Sequence, residues 1–267
     1  MFDETGAEAW RLRYGGEPPP DMPAIDRLLT HRSVRKFDDR AIDEATMMTI
    51  FAAGQSAATS SNLHLWSAVS VDNPDTRDQI AHLCADQDQI RTAARFFAFF
   101  ADHDRLRTAA NEVGEAAEGL DYHEYYVMAI IDAALAAERM VCAAELLGIG
   151  TCYIGALRND VDAVAELLAA PSGTVPLFGL CLGWPHPDAK ADIKPRPSQD
   201  CIWYRDRFPE RPSVGDYDAR MAAFYESQGM STSASWAMRS GRRVDNHHLT
   251  GRERLGPFVK ERGLDLR

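Results

Sequence analysis

Residues 122–147 read "YHEYYVMAIIDAALAAERMVCAAELL" and form the longest helical pattern in the chain. Small and apolar residues occupy nearly every face of this predicted helix, and Gly148 is typical of the position where a helix ends. Such a helix is expected either at the centre of the core or at an interface between subunits. Asp132 interrupts the apolar run, which is too short to cross a membrane.

Shorter patterns surround this helix. Residues 38–57 predict an amphipathic helix capped by Asp43, and the alternation in residues 63–71 predicts a strand. Two compact apolar runs, "RFFAFFAD" at 95–102 and "VPLFGLCLGW" at 175–184, predict buried strands. Helices and strands are interleaved without a regular βαβ order, and the GxGxxG fingerprint of dinucleotide-binding domains is absent from the sequence.

The composition limits the classes of function. The 267 residues include 45% hydrophobic and 26% charged residues, which is typical of a globular protein. The net charge of −11 argues against a general nucleic-acid binder. The five cysteines form no CxxC pair, and the acidic N-terminus lacks the apolar core of a signal peptide. We therefore predict reduced thiols and a cytoplasmic location without membrane attachment.

Two short segments concentrate positive charge in this acidic chain. "HRSVRKF" at residues 31–37 carries two arginines and a serine, and "KPRPS" at residues 194–198 holds Lys194 and Arg196 in a proline-restricted, extended segment. Arginine forks bind phosphate oxygens in pairs, so the two segments together predict one phosphate clamped from both sides. The alternatives are solvated arginines at a helix C-terminus and a charged linker.

Two further segments are suited to a flat ligand. "TSSNLHLW" at residues 59–66 offers hydroxyls and an amide in a turn, and "CYIGALR" at residues 152–158 offers a glycine that lets the backbone approach a ring closely. Ordinary turn chemistry explains either segment when it is taken alone. The sequence contains no cysteine–histidine cluster with metal-ligand spacing and no GxSxG nucleophile motif, so we expect no protein-held metal.

In chain order, the segments "HRSVRKF", "SSNLHLW", "DQDQI", the long helix leading into "YIGALRN", "PLFGLCLGWP" and "KPRPS" resemble the FMN-dependent nitroreductase superfamily. The branch they resemble most contains the oxygen-insensitive NADPH nitroreductases and NADPH–flavin oxidoreductases. The likeness covers residues 31–198 well and the chain after Cys201 more loosely. It implies an α+β fold with a mixed, mainly antiparallel sheet flanked by helices, in an intertwined homodimer that binds FMN between its subunits.

The resemblance also implies which residues bind FMN. Residues 31–33 would contact its phosphate and ribityl chain together with Lys194 and Arg196. Arg35 would lie on the N1/O2 side of the ring and support catalysis electrostatically. The backbone of residues 153–156 would flank the reactive N5 atom. The complete implied set is His31, Arg32, Ser33, Arg35, Ser60, Ser61, Asn62, Gln87, Tyr153, Ile154, Gly155, Ala156, Lys194 and Arg196.

The sequence departs from the family pattern at several positions. His64 stands where relatives usually carry glutamine, and Ala156 replaces a second glycine. The "STSASW" segment at residues 231–236 lacks the arginines that many relatives offer to the 2′-phosphate of NADPH, although three arginines follow within residues 239–243. The choice between NADPH and NADH as the electron donor therefore stays open.

These segments divide the chain into three predicted regions. Residues 1–23 end in the Gly/Pro-rich "GGEPPPDMP" and are predicted to be an extended leader outside the core. Residues 24–200 would form the FMN-binding, nitroreductase-like core. Residues 201–267 would form a C-terminal extension that packs on the core or on the partner subunit.

The function implied by the resemblance is that of an NAD(P)H-dependent flavin oxidoreductase. In a ping-pong cycle, the nicotinamide donor would pass hydride to flavin N5 and leave, and a nitroaromatic or quinone would then receive two electrons. The alternatives are a flavin reductase that supplies reduced FMN to a partner monooxygenase, a non-catalytic flavin-binding protein, and a structural or interaction protein without flavin.

Overall fold

The chain folds into two compact units. The computed structural model describes residues 4–230, 235–265 and 267. The larger unit comprises Ser33–Lys190 and Thr250–Arg267, and the smaller unit comprises Met1–Arg32 and Ala191–Leu249. No helix in the described part of the chain is both long enough and apolar enough to cross a membrane.

The larger unit is built on a four-stranded antiparallel sheet. Its strands are β1 (Trp66–Ser70), β2 (Arg95–Asp102), β3 (Gly150–Ile154) and β4 (Thr174–Gly183), which lie in the order β1-β2-β4-β3. The two central strands, β2 and β4, are buried along nearly their whole length, and each has a hydrogen-bonded neighbour on both sides. Both predicted buried strands are thus confirmed, as is the α+β fold class.

The long predicted helix is α7 (His123–Leu146), and Gly148 beyond its end has the left-handed φ of 79° that favours glycine. Helix α7 packs against α3 (Glu44–Gln55) at Gly54, where a Cβ would lie 2.6 Å from Cγ of Met140. The two helices therefore approach each other too closely for any side chain at this point. This contact fixes α7 against the rest of the larger unit.

Helix α7 has two different apolar faces. One face enters the core beside the sheet, where Met140 packs in a cluster with buried Ile50 and Phe99. The opposite face exposes large apolar side chains: Ile131 is 46% exposed and Leu146 is 64% exposed. The helix is therefore a core helix on one side and presents an apolar surface on the other.

The remaining helices of the larger unit surround the sheet. They are α4 (Pro74–Leu83), α5 (Asp88–Thr92), α6 (Asp104–Glu112), α8 (Val161–Leu167) and α11 (Leu255–Glu261). At the start of α3, the carboxylate of Asp43 accepts a hydrogen bond from the N–H of Thr46 at 2.9 Å. The predicted N-cap is thereby confirmed.

The smaller unit contains α1 (Gly6–Tyr14), α2 (Asp26–Leu29), α9 (Tyr217–Ser227) and α10 (Trp236–Arg243). The prediction of an extended leader is wrong for the segment that forms α1. Thr5 and Glu8 form a reciprocal capping box: the Glu8 N–H donates to the Thr5 hydroxyl, and the Thr5 N–H donates to the Glu8 carboxylate. Left-handed Gly15 ends the helix, and the Gly/Pro segment after it is irregular.

Candidate functional site

The first cation segment enters the larger unit as an extended piece beside β3. The N–H of Val34 donates to the carbonyl of Thr151 at 2.9 Å, and Ser33 pairs with Thr151 in a parallel bridge. Gly150 permits this approach, since a Cβ there would lie 2.7 Å from Cγ2 of the buried Val34. Ser33 and the residues that follow it are thereby held next to β3.

Arg35 lies beside Cys152 in β3. Burial raises the pKa of the Cys152 thiol, and the nearby guanidinium of Arg35 opposes that rise. The Arg35 side chain is otherwise exposed, so a positive charge stands at the surface next to this strand. The structure therefore places Ser33 and Arg35 beside Thr151 and Cys152, which directly precede the predicted flavin-flanking segment, residues 153–156.

Tyr153 is the half-exposed residue of β3. It is 38% exposed, whereas its neighbours Cys152 and Ile154 are buried. Its hydroxyl donates to the carboxylate of Glu138 on α7 at 3.2 Å, and its ring packs edge-on against Phe178 with 5.5 Å between the centroids. Partial burial and the Glu138 charge both raise the pKa of Tyr153, so the phenol stays protonated at neutral pH.

Gly155 follows β3 and begins the short 3-10 turn Gly155–Arg158. Its backbone is not left-handed, and a Cβ here would meet only Nη2 of Arg158, at an ordinary contact distance of 3.6 Å. Neither the turn nor internal packing therefore requires a glycine. The missing side chain leaves room for a ligand outside the chain to approach the backbone of Tyr153–Ala156.

The polar turn at residues 59–64 has an unusual backbone. Ser61, Asn62 and His64 are left-handed, with φ of 49°, 57° and 51°, and all three are exposed. Nε2 of His64 lies 3.0 Å from Oδ1 of Asn62. The histidine that departs from the family pattern therefore contacts one of the predicted flavin ligands.

Gln87 is placed differently from the other predicted ligands. Its amide Nε2 donates to the carbonyl of Cys84 at 3.0 Å, and its Oε1 accepts from Gln89 at 2.6 Å. Both ends of the amide are thus used inside the turn between α4 and α5. Among the described residues, the side chain of Gln87 is hydrogen-bonded to Cys84 and Gln89 and to no other predicted flavin ligand.

A cavity of about 540 Å³ adjoins the polar turn. Its lining comes from α3, β1 and the start of α6 and comprises Phe51, Gln55, His64, Trp66, Ser67, Ala68 and Arg105. Arg105 donates to the carbonyl of Trp66 and to the hydroxyl of Ser67, each at 2.9 Å. No local pattern in the sequence points to Arg105, because its partners lie 38 and 39 positions earlier in the chain.

In the smaller unit, Arg13 of α1 joins the two cation segments. Its guanidinium donates to the carbonyl of His31 at 2.6 Å and to that of Lys194 at 3.2 Å. Its own carbonyl accepts from the N–H of Arg196 at 2.8 Å. His31 of the first segment and Lys194 of the second are therefore adjacent, and the residue that joins them belongs to the predicted leader.

Arg32 is the most buried of the predicted phosphate ligands, at 6% exposed. Its guanidinium pairs with both carboxylate oxygens of Glu4, at 2.9 and 3.2 Å, and donates to the carbonyls of Thr30 and Ala191. These hydrogen bonds with Arg32 lower the pKa of Glu4. Arg32 therefore has a structural role in holding the leader, which its position in "HRSVRKF" did not predict.

Lys194 and Arg196 lie in an extended segment, as predicted from the flanking prolines. Their side chains are exposed, whereas the alternating residues Ile193 and Pro195 are buried. Alternation of this kind places both cations on the exposed side of the segment.

The Glu4–Arg32 pair predicts a pH-dependent contribution to stability. A lowered carboxyl pKa stabilises the folded chain above the ordinary value near 4.5, and this contribution is lost as pH falls through the lowered value. We expect Glu4→Gln to reduce the free energy of unfolding by about 1–2 kcal/mol at pH 7. Urea unfolding at pH 7 and at pH 3 should show that the difference shrinks at the lower pH.

A matched control is Glu17→Gln, which removes the same charge from the exposed pair with Arg11. It should leave the urea midpoint unchanged. A Glu4→Gln effect of equal size at both pH values would show that the ion pair is not its cause.

The region predicted to meet the 2′-phosphate of NADPH is only partly described. Residues 231–234 of the "STSASW" segment lie outside the described residues. The three arginines that follow lie on α10, where the Arg239 guanidinium stacks 4.4 Å from the Tyr225 ring centre and Arg243 donates to the carbonyl of His248 at 2.7 Å. Two of these arginines therefore already have contacts within the smaller unit.

The described residues contain no group of three or more His, Cys, Asp or Glu side chains placed to hold a metal ion. All five cysteines are free thiols. Burial raises the pKa of Cys84 to about 12, so this thiol is protonated and unreactive at neutral pH.

Comparison with known proteins identifies relatives over nearly the whole chain. The model of the nitroreductase family matches residues 28–184, and that of the nitroreductase family C-terminal domain matches residues 194–267. The FMN reductase (NADPH) of Bacillus subtilis strain 168 is 32% identical over 248 residues, which cover 90% of this chain and 98% of that protein. The oxygen-insensitive NADPH nitroreductase of Salmonella typhimurium is 32% identical, with coverage of 79% and 85%.

A solved structure shares the fold. The NADPH:FMN oxidoreductase from Vibrio harveyi complexed with NAD⁺ superposes with a TM-score of 0.79 at 30% identity, covering 90% of this chain and 98% of that one. The family resemblance read from the sequence is confirmed by these matches.

Proposed function

Since this chain belongs to the nitroreductase family, we propose that it is an FMN-dependent NAD(P)H oxidoreductase that reduces nitroaromatics or quinones by two electrons. The observation that carries the proposal is the packing of the Ser33–Arg35 segment on β3. This packing puts the Ser33 hydroxyl beside Thr151 and the Arg35 cation beside Cys152, on the strand that leads to Gly155, and the fold does not require the missing side chain of Gly155. The names of the relatives, which include FMN reductase and NADPH nitroreductase, support the same activity.

The residues present fit a flavin mononucleotide. The exposed cations Lys194 and Arg196 would bind the phosphate, joined by His31 and Ser33. Arg32 belongs to the same proposed set and would bind the phosphate only in competition with its partner Glu4. The polar turn would contact the ribityl chain or the ring edge, with Gln87 as the remaining proposed polar ligand, and residues 153–156 would flank the ring.

Bound FMN would supply the hydride chemistry between NAD(P)H and the acceptor. The chain itself would supply position and charge. Arg35 would stabilise negative charge on the N1/O2 side of the ring, in the way that an oxyanion hole stabilises a developing anion. The protonated Tyr153, bonded to Glu138, would keep the backbone after β3 in place.

We propose a cytoplasmic homodimer as the working form. The apolar surface of α7, which includes the exposed Ile131, Leu135 and Leu146, supports this proposal because large apolar patches of this kind mark protein interfaces. The acceptor would be a small molecule.

A second candidate function is flavin reduction, in which reduced FMN leaves for a partner monooxygenase. The names of two relatives, the B. subtilis FMN reductase and the V. harveyi NADPH:FMN oxidoreductase, favour it. The two functions share every residue discussed above, so only kinetics with different acceptors separate them.

The proposal is tested by anaerobic titration of the purified protein with NADPH and, separately, with NADH. We expect a yellow protein whose flavin absorbance is bleached by at least one donor and restored by a nitroaromatic or a quinone. Rapid turnover of added free FMN, with slow turnover of the nitroaromatic and the quinone, would favour the second function. A protein that binds no FMN, or whose bound FMN neither donor bleaches, would refute both.

Gly155 and Gly150 should respond oppositely to alanine. Gly155→Ala should leave the urea midpoint unchanged but weaken FMN binding by about tenfold, because the new methyl group would occupy the space proposed for the ring. Gly150→Ala should instead lower the urea midpoint, because its Cβ would overlap Val34. Fluorescence titration with FMN and urea unfolding give the two readouts. Unchanged FMN affinity in Gly155→Ala would place the ring elsewhere.

A further inference from the structure

Asp132 is a buried carboxylate in a helix that is otherwise apolar on this side. It lies within α7 and is 1% exposed. Its oxygens accept from two neutral donors of the polar turn, the Thr59 hydroxyl at 2.7 Å and the Ser60 N–H at 2.8 Å. Burial of a carboxylate costs desolvation free energy, so a buried carboxylate of this kind is expected to have a specific structural or functional role.

The turn that Asp132 holds would not keep its shape unaided. Ser61, Asn62 and His64 are all left-handed, a backbone conformation that non-glycine residues seldom adopt without support. The Thr59 hydroxyl that donates to Asp132 also accepts from the N–H of His64 at 3.3 Å. One carboxylate therefore anchors the start of the turn directly and its end through Thr59.

The far end of the turn has a second anchor. Arg105 donates to the carbonyls of His64 and Trp66, where the turn becomes β1. The residues between the two anchors, Ser61 and Asn62, are exposed. Asp132 and Arg105 thus hold the backbone, while the side chains in the middle of the turn point away from these anchors to solvent.

We propose that Asp132 is a positioning residue for flavin binding, which acts by holding the Thr59–His64 turn in the conformation in which its polar groups meet the ribityl chain or ring edge. The proposal rests on the proposed function. Asp132 lies beneath the turn and itself touches no ligand. Its effect should therefore fall on the part of the flavin that FMN and riboflavin share, and not on the phosphate.

The test measures the dissociation constants of FMN and riboflavin for Asp132→Asn and Thr59→Val. Asparagine keeps one acceptor oxygen but points an NH2 donor at the Thr59–His64 turn. Valine removes the Thr59 hydroxyl at nearly constant volume. We expect each variant to bind both flavins about tenfold more weakly, with an unchanged ratio of the two constants. Thr59→Ser, which keeps the hydroxyl, should bind both flavins like the wild type.

Thr174→Val is the matched control, because it also removes a hydroxyl that donates a 2.7 Å hydrogen bond, in this case to the carbonyl of Pro171. It should cost stability without changing either flavin constant. Far-UV circular dichroism and urea midpoints check that each variant is folded. If Asp132→Asn does not fold, the test rests on Thr59→Val.

The proposal is overturned if the folded variants bind both flavins as tightly as the wild type, if only FMN is affected, or if Thr174→Val weakens binding equally. In each of these cases wild-type FMN binding would still support the proposed function. A wild-type protein that binds neither flavin would refute the proposed function itself.

Discussion

Replacement of Arg35 by alanine is expected to lower kcat by about 100-fold while FMN affinity falls by less than tenfold. The exposed guanidinium stands beside Cys152 at the strand that leads into the proposed flavin-flanking backbone. A fixed positive charge at the N1/O2 side interacts more strongly with a reduced, anionic flavin than with the oxidised one, so its loss affects turnover more than binding. Steady-state kinetics and the flavin midpoint potential, which should become more negative, measure the effect.

Lys36→Ala provides the control for Arg35. Lys36 is the next cation along the chain, is exposed, and pairs with Asp188 at 3.6 Å. Its removal changes the net charge equally and should alter kcat by no more than about twofold. Equal losses in both variants, or full activity in Arg35→Ala with flavin bound, would contradict the electrostatic role.

Replacement of Arg196 by alanine should weaken FMN binding by about 10- to 150-fold and leave riboflavin binding unchanged. This range corresponds to the roughly 1.5–3 kcal/mol of a hydrogen bond to a charged group. The extended backbone of the segment is tied through the Arg196 N–H to Arg13, so the substitution removes the cation without displacing the chain. Titration with FMN and riboflavin in parallel separates phosphate recognition from ring recognition.

Arg211→Ala is the matched control for Arg196, since it removes an exposed arginine from the same unit. It should leave both dissociation constants unchanged. If Arg196→Ala weakened FMN and riboflavin by the same factor, its effect would be on the fold of the segment and the phosphate would lie elsewhere. Arg196→Ala should thus change the ratio of the FMN and riboflavin dissociation constants, whereas Asp132→Asn should leave that ratio unchanged.

The elements with strong local patterns could be predicted from the sequence. "RFFAFFAD" forms β2 over the same residues, and the long helical pattern forms α7 within a residue at each end. Asp43 caps α3. Each of these depends on contacts between near neighbours or on an apolar run that reports burial directly, so the signal lies within the segment itself.

The leader carries a local helix signal ahead of its Gly/Pro-rich residues 15–23. Thr5 and Glu8 have the spacing of a capping box, which marks the start of a helix. Once α1 forms, Glu4 and Arg13 reach the two cation segments. The partner of Arg32 therefore depends on how the leader folds, and the "HRSVRKF" segment alone carries no signal for it.

Local patterns are sufficient to predict the buried strands, the central helix, the family and the residue types that could bind a flavin phosphate. The folded chain was needed to show which arginine pairs with a carboxylate, which glycine the fold requires, and that Asp132 supports a turn 72 to 73 positions away. Periodicity and capping are local, whereas hydrogen-bond partners and close backbone approaches depend on how distant segments pack.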